Sequence, residues 1–255
     1  MIGKTNALIG GGISVDSKPN ISFDGKWSGW HVEFYEGLPY WEALFSSSGT
    51  LTNYGKACKC DAWGIGGGGA GGQYYYGGHN YGTGGGSGFT NMESNLTISG
   101  NSTMAITIGA GATGLKYLQS ACYTGYTGGS TTFKTLSCTG GNGGSGTDRV
   151  GGSGGSNGGG GYGVSGGKNG SPGAGKIISK FWSTEHNNEY GAAGVGVSGT
   201  HYNAGGGGGY LDVGAPNSRS GHGYGGGGGG AANNSDDNAD WYGKSGCIII
   251  RIAVA

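Results

Sequence analysis

The chain has 255 residues, of which 69 are glycine and only 4 proline. It is therefore not collagen, which needs abundant imino acid in a strict triplet. Fourteen basic and fourteen acidic residues cancel, which leaves no positive excess to displace counterions from nucleic acid and no acidic solvating tail. Apolar residues make up 34%, and glycine adds no side chain to bury. Order must then come from backbone hydrogen bonds more than from side-chain packing.

At the start of the chain, Ala7-Leu8-Ile9 is too short an apolar run for a signal-peptide core, so no targeting segment is expected. No stretch approaches 18 apolar residues, and no membrane insertion is expected. The five cysteines are an odd number at irregular spacing, which favours unpaired thiols and synthesis in a reducing compartment.

Residues 1–63 read as a small antiparallel β unit holding Trp27, Trp30 and Trp41. Residues 30–35 and 40–45 read as strands around the turn signal Glu36-Gly37-Leu38-Pro39, and 50–52 and 57–65 as further strands. From Gly66 the pattern changes. Glycine runs recur at 66–72, 84–86, 205–209 and 225–230, separated by short apolar strands at 96–98, 105–108 and 248–252. So apolar a chain end needs a partner, and the strand at 57–65 is the natural one.

Residues 151–175 fall into triplets with glycine at 152, 155, 158, 161, 167, 170 and 173. A period of three is that of a polyproline-II-type helix. Bare glycine faces let neighbouring backbones approach closely enough to bond to one another. Gly/Ser-rich sequence is also the composition of flexible linkers. Here, though, Tyr, Trp, His and Phe recur between the runs and apolar strands flank the array. The fold class expected is mainly β and irregular, essentially without α-helix. A small N-terminal antiparallel β segment (1–63) precedes a bundle of polyglycine-II helices closed by short β-strands (64–255).

The stretch WEALFSSSGTLT (41–52) followed by CDAWGIGGGGAGG (60–72) resembles the opening of glycine-rich domains in tail-fibre and minor tail proteins of tailed phages. Residues 106–111 (ITIGAG), 128–133, 139–144 and the closing strand 246–251 follow in the same order. The resemblance covers roughly residues 41–255. It departs from that pattern where Val195-Gly196-Val197 interrupts an expected glycine run. What the resemblance implies is a virion component on the phage tail, made in the host cytoplasm. It implies a polyglycine-II bundle whose connecting loops read a receptor. The partners implied are a bacterial surface glycan or protein and other tail or fibre proteins, with a homotrimer among the oligomeric states. No cofactor and no metal are expected, and the protein is not expected to be an enzyme.

Sixteen tyrosines lie mostly beside glycine runs. Tyrosine offers a large amphipathic surface at low entropic cost, and Tyr, Ser, Gly and Asn are the residues of recognition loops. The candidate receptor-binding set is Trp182, His186, Tyr190, His201, Tyr202, Trp241 and Tyr242. A second aromatic cluster is Tyr74, Tyr75, Tyr76, His79 and Tyr81. The same rings could instead cover the bundle ends.

Weaker motifs fall away on chemistry. Asp236, Asp237 and Asp240 lack the glycine and the bidentate glutamate of an EF-hand loop. Cys58 and Cys60 face one side of a strand without the two further ligands of a zinc site. Gly170 to Lys176 lacks the Ser/Thr of a P-loop. The function expected is a fibre-tip adhesin. The alternatives are a structural spacer without receptor contact and an ice-binding or other surface-binding protein.

Overall fold

The structure is a computed structural model that describes residues 18–35, 37–76, 79–114, 121–147, 150–154, 223–228, 230 and 241–254. It is mostly strand and irregular chain, with no α-helix among the described residues. Two five-stranded antiparallel sheets enclose the main core. The first has the order β1 (Ile21–Phe23), β4 (Gly49–Asn53), β9 (Ser102–Thr107), β10 (Thr131–Phe133), β11 (Leu136–Cys138). The second runs β2 (His31–Tyr35), β3 (Leu38–Phe45), β12 (Cys247–Ala253), β5 (Cys58–Ile65), β8 (Thr90–Ile98). A two-stranded hairpin, β6 (Gly72–Tyr76) and β7 (His79–Thr83), stands apart from both.

The closing strand does pair with the strand before the glycine array, with Ile249 opposite Trp63 and Ile250 opposite Ala62. Its other edge pairs with β3, so β12 lies at the centre of its sheet. Both its faces are buried, which is why Cys247–Ile250 is a continuous apolar run and not an alternating one, with Arg251 the one charged residue of the strand. Ile248, Ile250 and Ile252 pack into the inter-sheet core with Ala43, Phe45, Leu51, Ile106, Phe133 and Leu136. Cys247 and Ile249 pack on the opposite face with Trp63, Ile65, Leu44, Met92 and Tyr224. Fully burying each of the larger apolar side chains stabilises the fold by about 1.5–3 kcal/mol.

The N-terminal tryptophans serve this core. Trp27 stacks on Phe45 with ring centroids 5.6 Å apart, and Phe23 meets Phe45 edge-on at 5.0 Å. Trp30 donates its indole N–H to the Ile21 carbonyl at 3.3 Å. On the outer face of the second sheet, Arg251 Nε donates to Glu42 Oε2 at 2.5 Å, both side chains being about nine-tenths buried.

Beyond the sheets the chain forms a lattice with a three-residue period. Residues 66–71 run through its centre. Gly66 and Gly69 donate to the carbonyls of Phe89 and Gly86, Gly67 and Ala70 to those of Gly129 and Tyr126, and Gly68 and Gly71 to those of Lys244 and Trp241. Successive residues thus turn to three different neighbours, as a polyproline-II-type helix requires. The central carbonyls accept from three more segments: Gly67 and Ala70 from Gly141 and Gly144, Gly68 from Ala112, and Gly69 from Gly228.

Those six neighbours close a ring. In order around the centre they are 84–89, 139–144, 123–129, 109–112, 241–246 and 225–228. Each bonds to the next, through Gly86 to Asn142, Gly128 to Gly141, Gly129 to Ala110, Gly243 to Ala112, Lys244 to Gly226 and Gly85 to Gly228. The registers show that direction alternates around the ring. The central N–H groups go to the three antiparallel neighbours, and its carbonyls accept from the three parallel ones. An eighth segment, 151–154, lies outside the ring against 84–87 and Asn142. Buried peptide groups are thereby paired without side chains.

Glycine is needed here for closeness. A Cβ placed on Gly66, Gly67, Gly68 or Gly69 would overlap the carbonyl of Thr139, Ala110, Gly226 or Asn142 respectively. The triplet stretch at 151–175 is described only as far as Gly154, where it joins this lattice; the remainder lies outside the described residues.

Candidate functional site: the distal end of the bundle

Connectivity decides what the bundle presents. The central segment leaves β5 at Ile65 and enters the β6–β7 hairpin at Gly72. Segment 84–89 returns from β7 to β8. Segment 109–112 leaves β9, and 123–129 returns to β10. Segment 139–144 leaves β11, and 241–246 returns to β12. The sheets therefore occupy one end of the bundle and the hairpin and turns the other, distal end.

The hairpin is anchored to that end. Gln73 is fully buried. It exchanges backbone bonds with Tyr123 at 2.9 and 2.8 Å and donates its side-chain amide to the Ala121 carbonyl at 3.0 Å. The Tyr75 N–H reaches Cys122 Sγ at 3.1 Å. Residues 121–123 thus lie along the hairpin as a third short edge, and Thr83 Oγ1 fixes its other strand by donating to the Ser145 carbonyl at 2.7 Å. Tyr123 is buried beneath, and burial pushes its hydroxyl up to about 12.

Members of both expected aromatic groups lie at this end. Tyr74 and Tyr75 lie half-buried on β6, and Tyr76, His79 and Tyr81 are backbone members of the same hairpin. The Trp241 carbonyl accepts from Gly71, one residue before the hairpin begins. Tyr242 follows, 38% exposed, with Lys244 Nζ 5.0 Å from its ring centroid. Such a cation–π contact contributes about 0.5–1 kcal/mol at an exposed site.

Trp241 differs from the expected outward ring. It is 5% exposed, and its indole N–H is buried without a partner among the described residues, so it packs the bundle end and Tyr242 faces outward. Trp182, His186, Tyr190, His201 and Tyr202 lie outside the described residues. Tyr126, 55% exposed, stands on the side of the bundle, three residues along 123–129 from the hairpin-bonded Tyr123. Gln73 and Cys122 were not singled out from the sequence. The one signal for Gln73 was a polar side chain between polyglycine and three tyrosines.

At the opposite end an open cleft of about 250 Å³ lies between Asn20, Asn53, Lys56, Cys58 and Ile252. The amide of Asn53 is already spent on the carbonyls of Lys56 and Ser99. Among the described residues no three His, Cys, Asp or Glu side chains converge as a metal site would require, and no helix is long and apolar enough to cross a membrane.

The family model described as a glycine-rich domain matches residues 46–253. The chain belongs to this glycine-rich domain family. No curated protein matches it. The family match begins at the end of β3 and runs through β12. It therefore takes in the whole described lattice and, of the sheets, every strand after β3.

Proposed function

We propose that this glycine-rich domain is the adhesive tip of a phage tail fibre, without catalytic activity, that binds a glycan or protein on the bacterial surface. The observation that carries the reading is the placing of Tyr74, Tyr75 and Tyr242 at the end of the bundle away from the sheets. The lattice holds these rings on a frame with no side-chain entropy of its own to lose. Pre-ordered aromatic contacts lower the cost of binding. In this proposal the sheet end joins other tail proteins, as a single copy or a trimer, on the assembled virion.

Stacking and neutral hydrogen bonds carry the binding, so it is insensitive to salt. The test is staining of a panel of bacterial cells with labelled protein at about 0.05 and about 0.5 M salt. Staining of a susceptible strain is expected to be equal at both salts and lost in a Tyr74→Ala, Tyr75→Ala, Tyr242→Ala triple variant. Staining that collapses with salt overturns the reading. Undiminished staining by the triple variant does the same for the tip, and favours a fibre spacer whose contacts lie elsewhere.

A further inference from the structure

The side of the bundle carries a second pattern. In segment 123–129 the backbone positions facing the centre are Gly125 and Gly128, whose missing Cβ atoms would meet Ala70 and Gly67. One phase on, Thr124, Thr127 and Ser130 are all exposed. In the adjoining segment Gly140 and Gly143 face 123–129, Gly141 and Gly144 face residues 83–87, and the outward phase is Thr139, Asn142 and Ser145. On the eighth segment the outward residue is Ser153. Two neighbouring helices therefore show one hydroxyl or amide every third residue, a repeat of about 9 Å along each, and Ser153 adds one hydroxyl beside them.

The rows are connected across the helices. Thr127 Oγ1 donates to Asn142 Oδ1 at 3.5 Å, and Asn142 Nδ2 donates to Ser153 Oγ at 2.6 Å. Thr124 Oγ1 accepts from the Gly146 N–H at 3.0 Å. These bonds fix the side chains yet leave each hydroxyl a lone pair or a proton to offer. None of these residues is ionisable. Tyr126 is exposed on the same helix one phase away, in line with Gly129, whose Cβ position borders Ala110, so its ring flanks the Thr124–Thr127 row on the side of 109–112.

We propose that this face binds an extended, neutral polysaccharide lying along the side of the bundle, separately from the distal tip. Among the described residues the rows carry no charge, which matches an uncharged partner and gives a polyanion no counter-charge. Sugar hydroxyls both donate and accept, as the ladder requires, and the Tyr126 ring gives a sugar face something to stack on. A protein partner would need an apolar interface core, which one tyrosine does not supply.

The test is affinity electrophoresis of the whole chain in native gels cast with dextran, mannan or mixed-linkage β-glucan, with alginate as the polyanionic control. At least one neutral polymer is expected to retard the protein. The Thr127→Val, Asn142→Ala double variant and, separately, Tyr126→Ala should each weaken that retardation about tenfold, with the melting transition unchanged. Tyr75→Ala and Tyr242→Ala should leave it intact, which keeps this face distinct from the tip. Retardation by none of the neutral polymers overturns the proposal. So does equal retardation by alginate, or retardation that the ladder and Tyr126 variants leave unchanged.

Discussion

Gly68 and Gly226 approach so closely that a Cβ on Gly68 would overlap the Gly226 carbonyl. Neither backbone can yield, because Gly68 also donates to Lys244 and Gly226 accepts from Lys244. Gly68→Ala should therefore destabilise the protein by about 3 kcal/mol or more, at the upper end of overpacking costs. Gly55 is the control, since a Cβ there meets only ordinary contacts with Asn53 and Asn20. Gly55→Ala should stay within about 0.5 kcal/mol. Denaturant titration of both variants measures the difference.

The Glu42–Arg251 pair joins neighbouring strands inside the second sheet, and the Arg251 guanidinium also sits 5.5 Å from the Tyr35 ring centroid. Glu42→Ala leaves a buried cation without its carboxylate and should cost about 3–5 kcal/mol. Replacing both, as Glu42→Leu with Arg251→Met, should recover most of that loss, because two buried charges are exchanged for packed apolar groups. Melting curves of the single and double variants distinguish a needed ion pair from a merely tolerated one.

Four buried groups make stability fall at alkaline pH. Burial pushes the Cys60 and Cys138 thiols from 9.0 up to about 12 and raises Cys247 well above 9.0. The Tyr123 hydroxyl moves from 10.0 to about 12 for the same reason. In that interval the unfolded chain has released protons that the folded chain keeps, so stability is full below about pH 9 and declines as pH rises towards 12. Each group steepens the decline by up to about 1.4 kcal/mol per pH unit. Melting temperatures from pH 8 to 11 should drop, and a Cys60→Ala, Cys138→Ala variant, though less stable at pH 8, should show a shallower slope.

Lys134 has φ of +51° in the two-residue turn between β10 and β11, where Phe133 pairs with Leu136. Tight hairpin turns of this kind favour Gly or Asn at such a position. Lys134→Gly should therefore be neutral or stabilising by up to about 1 kcal/mol. A lower denaturation midpoint would contradict this.

The strands with strong apolar patterns were legible: residues 30–35, 40–45, 57–65 and 248–252 all lie within or beside observed strands, and the last two pair as expected. The shorter elements β1, β10 and β11 were not, because three residues carry no period and Lys134-Thr135 is not a recognisable turn pair. The hairpin β6–β7 was hidden by its glycines and tyrosines. The three-residue period was visible, but a period fixes only a helix and not its neighbours. Which segment occupies which ring position depends on the alternating direction that the sheet connections impose. For the same reason the sequence could list Tyr75 and Tyr242 as separate candidates but could not bring them to one end.

The alternating ring separates what is fixed from what can be rewritten. Every spoke is held by main-chain atoms, and its inward glycine phases tolerate hardly any substituent, while each return at the far end links two spokes whose positions are already set. Lengthening or replacing such a link changes the outward chemistry without disturbing the hub. A single hub could thus carry many different tips, each inheriting the same rigidity.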